Sequence, residues 1–517
     1  MLLVRRFPFL LAVLALSMPV PPAPANDLPA EKVTAALPLI EKYTVELRDK
    51  TGVPGVAIAV VHVDKVVYMK GFGVRELGTP DAIDADTVFQ LASLSKPLTA
   101  TVIAGVVGDG TVKWNSKTSD LDPAFRLAGD FVSSEVTLRD LLCHRTGLPE
   151  HAGDLLEDLG YSRSEVLHRL RFQRPAGLFR SSYAYTNFGF TEAGVATGKA
   201  AGKSWEDLAA DRLFKPLRMG RTSYRHADYV AAANRARLHT RIDGKWAAKF
   251  SRQPDAQAPA GGASSSVRDL AGWMRLLLAD GKYDGQQVIA ADALAETHKP
   301  QVVSVPAKKP TDRTSFYGLG WNIGHDSAGR LTLSHSGAFD LGAATCVVLM
   351  PGERLGIVVL TNGAPIGVPE AVAFSFLDLV HAGKQERDWF ATMTPVFEEL
   401  AKPNYGTRVN YKKEPVGKSP PLPAGSYAGT YHNDFVGDAV VVEEGSKLVL
   451  KLGPKLRAFS LTHFDRDTFT YQPEGEMSAG LSAVTFRVGP DRVADAVTIE
   501  NLNVHGSGTL TRVAVKK

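Results

Sequence analysis

Ser93-Leu94-Ser95-Lys96 is the only Ser-x-x-Lys in this chain, and it stands where the apolar run 88–92 gives way to a segment with helical spacing. Residues three apart on a helix share a face, so the Ser93 hydroxyl and the Lys96 amine fall within mutual reach. Burial disfavours an ammonium, and a lysine freed of its proton can serve as base toward the serine. Leu98, Val102, Ile103, Val106 and Val107 continue the helical pattern up to Gly108-Asp109-Gly110. Pro97 is tolerated only near a helix start, where the first amides have no intrahelical partner to lose. Ser93 is thereby expected at a helix N-terminus, where its own N–H and the helix dipole favour a developing oxyanion. A Ser-x-x-Lys arises by chance roughly once or twice in a chain of this length, so its context carries the weight.

Two further groupings could complete an acyl-transfer site. In Tyr185-Thr186-Asn187, a phenol near a lysine ammonium would be stabilised as phenolate and could take or return a proton, while Asn187 could hold a substrate amide. In His335-Ser336-Gly337-Ala338, glycine would let substrate approach the backbone, and the Ala338 N–H could be the second oxyanion donor beside that of Ser93. Each grouping is weak alone. Tyr-x-Asn recurs at Tyr431-His432-Asn433, read as turn chemistry, and His-x-Gly recurs at His151-Ala152-Gly153 and His381-Ala382-Gly383, off any convincing strand.

In this order and spacing, Ser-x-x-Lys, Tyr-x-Asn and His-x-Gly together resemble the penicillin-recognising serine hydrolases. The closest likeness is to the class C β-lactamase family, which also holds D,D-carboxypeptidases, D-aminopeptidases and esterases. The stretches Thr137-Leu138-Arg139-Asp140-Leu141-Leu142-Cys143-His144-Arg145-Thr146-Gly147-Leu148-Pro149, Pro259-Ala260-Gly261-Gly262-Ala263-Ser264 and Tyr317-Gly318-Leu319-Gly320-Trp321 are similar as well, and the likeness spans about residues 30 to 390. It implies Ser93 as nucleophile, Lys96 and Tyr185 as the proton-transfer pair, and Asn187 as the residue that orients substrate. The N–H groups of Ser93 and Ala338 would form the oxyanion hole, a water would release the acyl group, and Ser95 would face away in a structural role. Dedicated class C β-lactamases carry Lys-Thr-Gly where this chain has His335-Ser336-Gly337, so a fixed positive charge for a substrate carboxylate is missing.

The elements that must hold these residues follow from pattern. A helix over 39–50 is followed by two apolar stretches, 53–61 and 65–73, that read as a hairpin turning near Val63-Asp64. Residues 111–310 read as a mostly helical, loop-rich lobe, with helices at Leu138 to Leu142, Ser164 to Leu170, Trp205 to Leu213 and Val267 to Leu278. Strand patterns return at 318–323, 331–335, 344–350 and 356–360, and Pro369 to His381 reads as a closing helix. The sheet thus draws on both ends of the domain. The expected class is α+β, an antiparallel sheet flanked by helices with an inserted helical lobe. Pro-rich residues 401–423 read as a linker, and 424–517 as a small all-β domain, a lipocalin-like barrel, with strands at 429–431, 439–442, 447–452, 468–471 and 483–488.

Composition bounds the rest. The 517 residues are 44% hydrophobic and 22% charged with a net charge of +4, an ordinary globular balance that gives a nucleic-acid role no support. Arg5-Arg6, the apolar run 9–16 and Ala23-Pro24-Ala25 read as a cleavable signal peptide over residues 1–25, hence a periplasmic or secreted protein without stable membrane insertion, whose hydrolase domain occupies 27–400. Cys143 and Cys346 lie in apolar runs and are expected as free, buried thiols. No metal motif is present and no cofactor is implied. The leading expectation is a serine hydrolase that acylates Ser93 with small esters, D-amino-acid amides or short peptides. The alternatives are a true β-lactamase and, from another class, a non-catalytic peptidoglycan-binding module. An unrelated α/β-hydrolase lacks its Gly-x-Ser-x-Gly here.

Overall fold

A hairpin opens the domain. In the computed structural model, which describes residues 28–445 and 447–514, β1 (Gly55–His62) and β2 (Lys65–Gly73) are joined by Val63 and Asp64, both at positive φ (48° and 60°). Two successive residues of that kind twist the chain as a right-handed hairpin requires. The expected signal peptide lies outside the described residues.

Six more strands join the sheet: β3 (Val302–Val305), β4 (Ser315–Tyr317), β5 (Asn322–His325), β6 (Leu331–Phe339), β7 (Ala343–Met350) and β8 (Leu355–Thr361). Their order is β2-β1-β8-β7-β6-β5-β4-β3 with every neighbour antiparallel. The β1–β8 pairing closes the two ends of the domain on each other, as the split strand pattern requires. β1, β7 and β8 are buried along their whole length because both faces are covered. On one face lie α1 (Ala30–Thr51) and the closing helix, Val368–Ala382. On the other lie the helical lobe, α2 (Ser95–Gly108) and Val267–Leu278. Trp273 stacks on Trp321 at 5.8 Å and donates to Thr101 Oγ1 at 3.1 Å, fastening these two helices to the loop before β5. Burying aromatic side chains of this size stabilises by about 1.5–3 kcal/mol each.

Differences from the sequence pattern are local. Gly318 to Trp321 is loop, and its strand begins only at Asn322. The three- and four-residue strands β4 and β3 are too short to show a period. Trp205–Leu213 breaks into a short α-helix, Trp205–Ala209, and a π-turn, Ala210–Phe214. A further helix, Trp389–Leu400, packs against the closing helix although none of its residues is buried. Residues 401–423 carry neither helix nor strand.

After Ala424 the chain forms a nine-stranded antiparallel sheet whose two edge strands, Arg457–Ser460 and Thr462–Asp465, are consecutive in sequence. One intervening residue, Leu461, brings the two edges together, so the sheet curls into a nearly closed barrel. Tyr431 lies inside a strand here with its hydroxyl on the Tyr427 carbonyl at 2.6 Å, correcting the turn reading of Tyr431-His432-Asn433. Cys143 and Cys346 are both buried and unpaired, on opposite faces of the hydrolase sheet.

Candidate active site

Ser93 sits in a single 3-10 turn, Ala92–Leu94, ahead of α2, which starts at Ser95. The turn is tight: Ala92 has φ +49°, a conformation that costs a residue bearing a Cβ. Two side chains and one backbone N–H hold it. Ser95 Oγ donates to the Ala92 carbonyl (2.6 Å) and accepts from Ala263 N–H (2.9 Å), and Thr345 Oγ1 donates to the Leu91 carbonyl (2.8 Å). Gly337 on β6 lies directly against this turn, where a Cβ would collide with the Leu91 carbonyl and Thr345 Oγ1.

Lys96 is fully buried, and its Nζ makes three contacts: Asn187 Oδ1 at 2.7 Å, the Ala260 carbonyl at 3.0 Å and Ser93 Oγ at 3.1 Å. Burial lowers its pKa to about 7, against a smaller opposing pull from Asp154. A neutral amine has two N–H donors and one lone pair, and two of its three neighbours are acceptors only. The third, Ser93, is the neighbour to which the lone pair is left.

The Tyr185 hydroxyl donates to Ser93 Oγ at 2.7 Å. Its ring packs on His144 (centroids 4.6 Å apart), and His144 in turn on Tyr317 (4.9 Å). Burial in this dry nest pushes the phenol well above its ordinary value, so at rest Tyr185 is a donor to Ser93 and not the phenolate expected from sequence.

Asn187 opens the helix Asn187–Ala200 and is occupied at both ends: Oδ1 accepts from Lys96, and Nδ2 donates to Asp154 Oδ2 at 2.7 Å. It therefore supports Lys96, while its second Nδ2–H is left for the substrate amide expected from sequence. Asp154 also accepts from His151 Nδ1 at 2.8 Å. Neither was singled out, because His151 stood in a discounted His-x-Gly and Asp154 belongs to a five-residue helix without a motif.

His335 lines the cleft, but both ring nitrogens are engaged: Nδ1–H donates to the Ser336 carbonyl (2.7 Å) and Nε2 accepts from the Tyr317 hydroxyl (2.9 Å). Burial lowers its pKa to about 3, so it is neutral and offers a carboxylate no charge. Ser336 points to the other face of the sheet, beside Glu370 and Cys346. β5 pairs with β6 only as far as Ser334, which leaves the edge from His335 to Ala338 open to the cleft.

That cleft has a volume of about 630 Å³ and contains Ser93, Tyr185, Asn187, His335 and Ala338. The barrel domain closes part of it. Asp158 accepts the N–H groups of Glu476 and Met477 (2.9 and 2.8 Å), and Glu476 Oε1 accepts from Asp340 N–H just past β6 (2.5 Å).

A serine joined to a buried amine and a phenol, at the free edge of an antiparallel strand, frames the comparison with other proteins. Residues 40–382 match the family model described as Beta-lactamase. The chain belongs to that family. Residues 413–511 match a domain of unknown function, DUF3471. Among related β-lactamase-family proteins, the chain is 28% identical to Penicillin-binding protein 4 of Amycolatopsis lactamdurans over 75% of this chain and 95% of that one. It is 24% identical to Unguisins hydrolase ungD' of Aspergillus campestris over 87% of each. Identity to the D-alanyl-D-alanine-carboxypeptidase/endopeptidase AmpH of Escherichia coli is 23%, over 63% of this chain and 84% of that one. The octameric penicillin-binding protein homologue from Pyrococcus abyssi shares the fold, with TM-score 0.57 and 18% identity over 92% of this chain and all of that one. This β-lactamase-family chain is a serine hydrolase. Among its described residues no helix is long and apolar enough to cross a membrane.

Proposed function

We propose that this hydrolase forms an acyl-enzyme on Ser93 from small esters, D-amino-acid amides or short D-peptides, acting outside the cytoplasm. The observation that carries the reading is the double contact on Ser93 Oγ, a buried amine at 3.1 Å and a protonated phenol at 2.7 Å. Lys96, neutral, takes the proton as Ser93 attacks the carbonyl. Tyr185 then delivers its own proton to the leaving group and regains one from the Lys96 ammonium, and water attacks the acyl-enzyme, giving a proton to Lys96 that returns to Ser93 as the acid leaves. The N–H groups of Ser93 and Ala338 would hold the oxyanion. The neutral His335 supports esters and amides over penicillins, whose carboxylate finds no cation there.

A fluorophosphonate probe should add to wild-type protein and not to Ser93→Ala, and D-alanine p-nitroanilide or p-nitrophenyl butyrate should be turned over far faster than a chromogenic cephalosporin. A folded wild-type protein that shows no adduct by mass spectrometry overturns the proposal. Cephalosporin turnover matching the best ester would favour a β-lactamase.

A further inference from the structure

The cleft does not end at Ser93. It continues around the free edge of β6 to the opposite face of the strand, where Ser336, Glu370, Phe374, Met393 and Phe397 line it. Glu370 lies in the first turn of the closing helix and is 5% exposed, with Ser336 beside its carboxyl. Its Oε2 has no hydrogen-bond partner. Phe374 follows four residues later on the same helix face. Met393 and Phe397 pack on Gly367, at the N-cap of that helix. The result is an apolar sleeve with one buried carboxyl at its base.

Among the described residues no cation is paired with that carboxyl. Among the described residues lining the cleft, Arg252 is ion-paired with Glu157 at 2.5 Å and His151 with Asp154 at 2.8 Å. A buried carboxylate without a partner is costly, so the missing charge must come from a ligand or the group must stay protonated. Burial does raise its pKa to about 7, a value that a bound cation would bring down.

The strand explains how a substrate would reach it. An extended substrate laid along an open sheet edge turns alternate substituents to opposite faces. The His335 face leads to Ser93 and the Ser336 face to Glu370. We propose that Glu370 is a specificity-determining residue that receives the protonated amine of a substrate side group, whose aliphatic stem lies between Phe374, Met393 and Phe397. As to which substrate is held, this rests on the acyl-transfer reading above; the binding site itself does not. A glutamate in a first helical turn also interacts with the helix N-terminus, a role that would affect stability and leave amine affinity unchanged.

The test is calorimetric binding of n-pentylammonium chloride, with 1-pentanol as the uncharged counterpart, to wild-type protein and to Ser93→Ala, which needs no catalysis. At pH 8 both proteins should bind the amine at least tenfold more tightly than the alcohol. Glu370→Gln, with unchanged circular dichroism, should bring the two affinities within twofold. Met393→Lys, which supplies an internal ammonium at the sleeve, should abolish amine binding even if the Gln variant folds poorly. Equal affinity for amine and alcohol in the wild type, or a tenfold preference that survives in folded Glu370→Gln, overturns the subsite. Loss of fluorophosphonate labelling with amine binding intact would sink only the catalytic reading.

Discussion

Lys96 Nζ and Asn187 Oδ1 lie 2.7 Å apart, the shortest of the three contacts the amine makes. With the Ala260 carbonyl this bond fixes the direction of the lysine lone pair, and Asp154 fixes Asn187 in turn. Asn187→Ala should therefore leave the cleft intact and lower kcat by about 100-fold, the lower end of what a misaimed general base costs, with a smaller change in KM. Steady-state kinetics on a p-nitrophenyl ester decides it, and an equal loss confined to KM would leave Asn187 with the substrate-binding role alone.

The pH profile follows from the same amine. The base is the neutral form, and the Lys96 pKa is lowered to about 7, so kcat/KM should rise through about pH 7 and be lost on the acid side. No basic limb from Tyr185 is expected below pH 10, because burial holds the phenol protonated. A profile between pH 5 and 9.5 that is flat, or that falls from pH 7 upward, contradicts this assignment.

Stability carries the opposite sign of benefit. The folded-state pKa of Lys96 lies below its unfolded value of 10.5, so the unfolded chain binds more protons between about pH 7 and 10.5, and stability rises with pH across that window. The displacement corresponds to a cost on the order of 4 kcal/mol at neutral pH. Lys96→Met removes that cost but leaves Asn187 Oδ1 and the Ala260 carbonyl unsatisfied, which costs about 1–3 kcal/mol for each. The two terms nearly cancel, so the variant should be inactive and within about 2 kcal/mol of wild type at pH 7, and should lose stability relative to wild type as denaturant melts are taken from pH 7 toward pH 10.

Much of this site was legible because its parts are short, local and repeated in kind. Ser93 and Lys96 share one turn of backbone, the Val63-Asp64 turn follows from two flanking apolar runs, and the Pro259 to Ser264 stretch supplies the carbonyl for Lys96 and the N–H for Ser95. What was not legible depends on single residues brought in by tertiary structure. Asp154 and Glu370 belong to no spacing pattern, and each acquires meaning only from its neighbour, Asn187 and Ser336 respectively; Tyr317 stood in a family-like stretch, but its bond to His335 is tertiary. The fate of Tyr185 was misread for a related reason. Sequence places Lys96 beside it, but only the packed nest of His144 and Tyr317 shows that the phenol is desolvated.

Gly337 tests whether the nucleophile turn depends on the strand beside it. A Cβ at this position meets backbone at Leu91 and Leu94 as well as Thr345, and backbone yields less readily than a side-chain tip. Gly337→Ala should cost about 1–3 kcal/mol by overpacking and slow fluorophosphonate labelling at least tenfold with secondary structure unchanged. Labelling at the wild-type rate would show that the turn and β6 move independently.

The barrel domain reaches the cleft through one loop, which Asp158 holds there together with the Asp340 N–H and Arg252 on Glu476. The Asp158 carboxylate takes two successive backbone N–H groups, and Gly475 packs against the same carboxylate with no room for a Cβ. Asp158→Ala leaves both N–H groups unpaired and should loosen the loop at the cleft without touching Ser93, Lys96 or Tyr185. The expected outcome is a change in selectivity: kcat/KM for a bulky acyl ester should rise at least tenfold relative to p-nitrophenyl acetate, while labelling of Ser93 by a small fluorophosphonate stays within about threefold of wild type. If the two esters keep their wild-type ratio, the loop is a docking contact between domains and not a limit on substrate size.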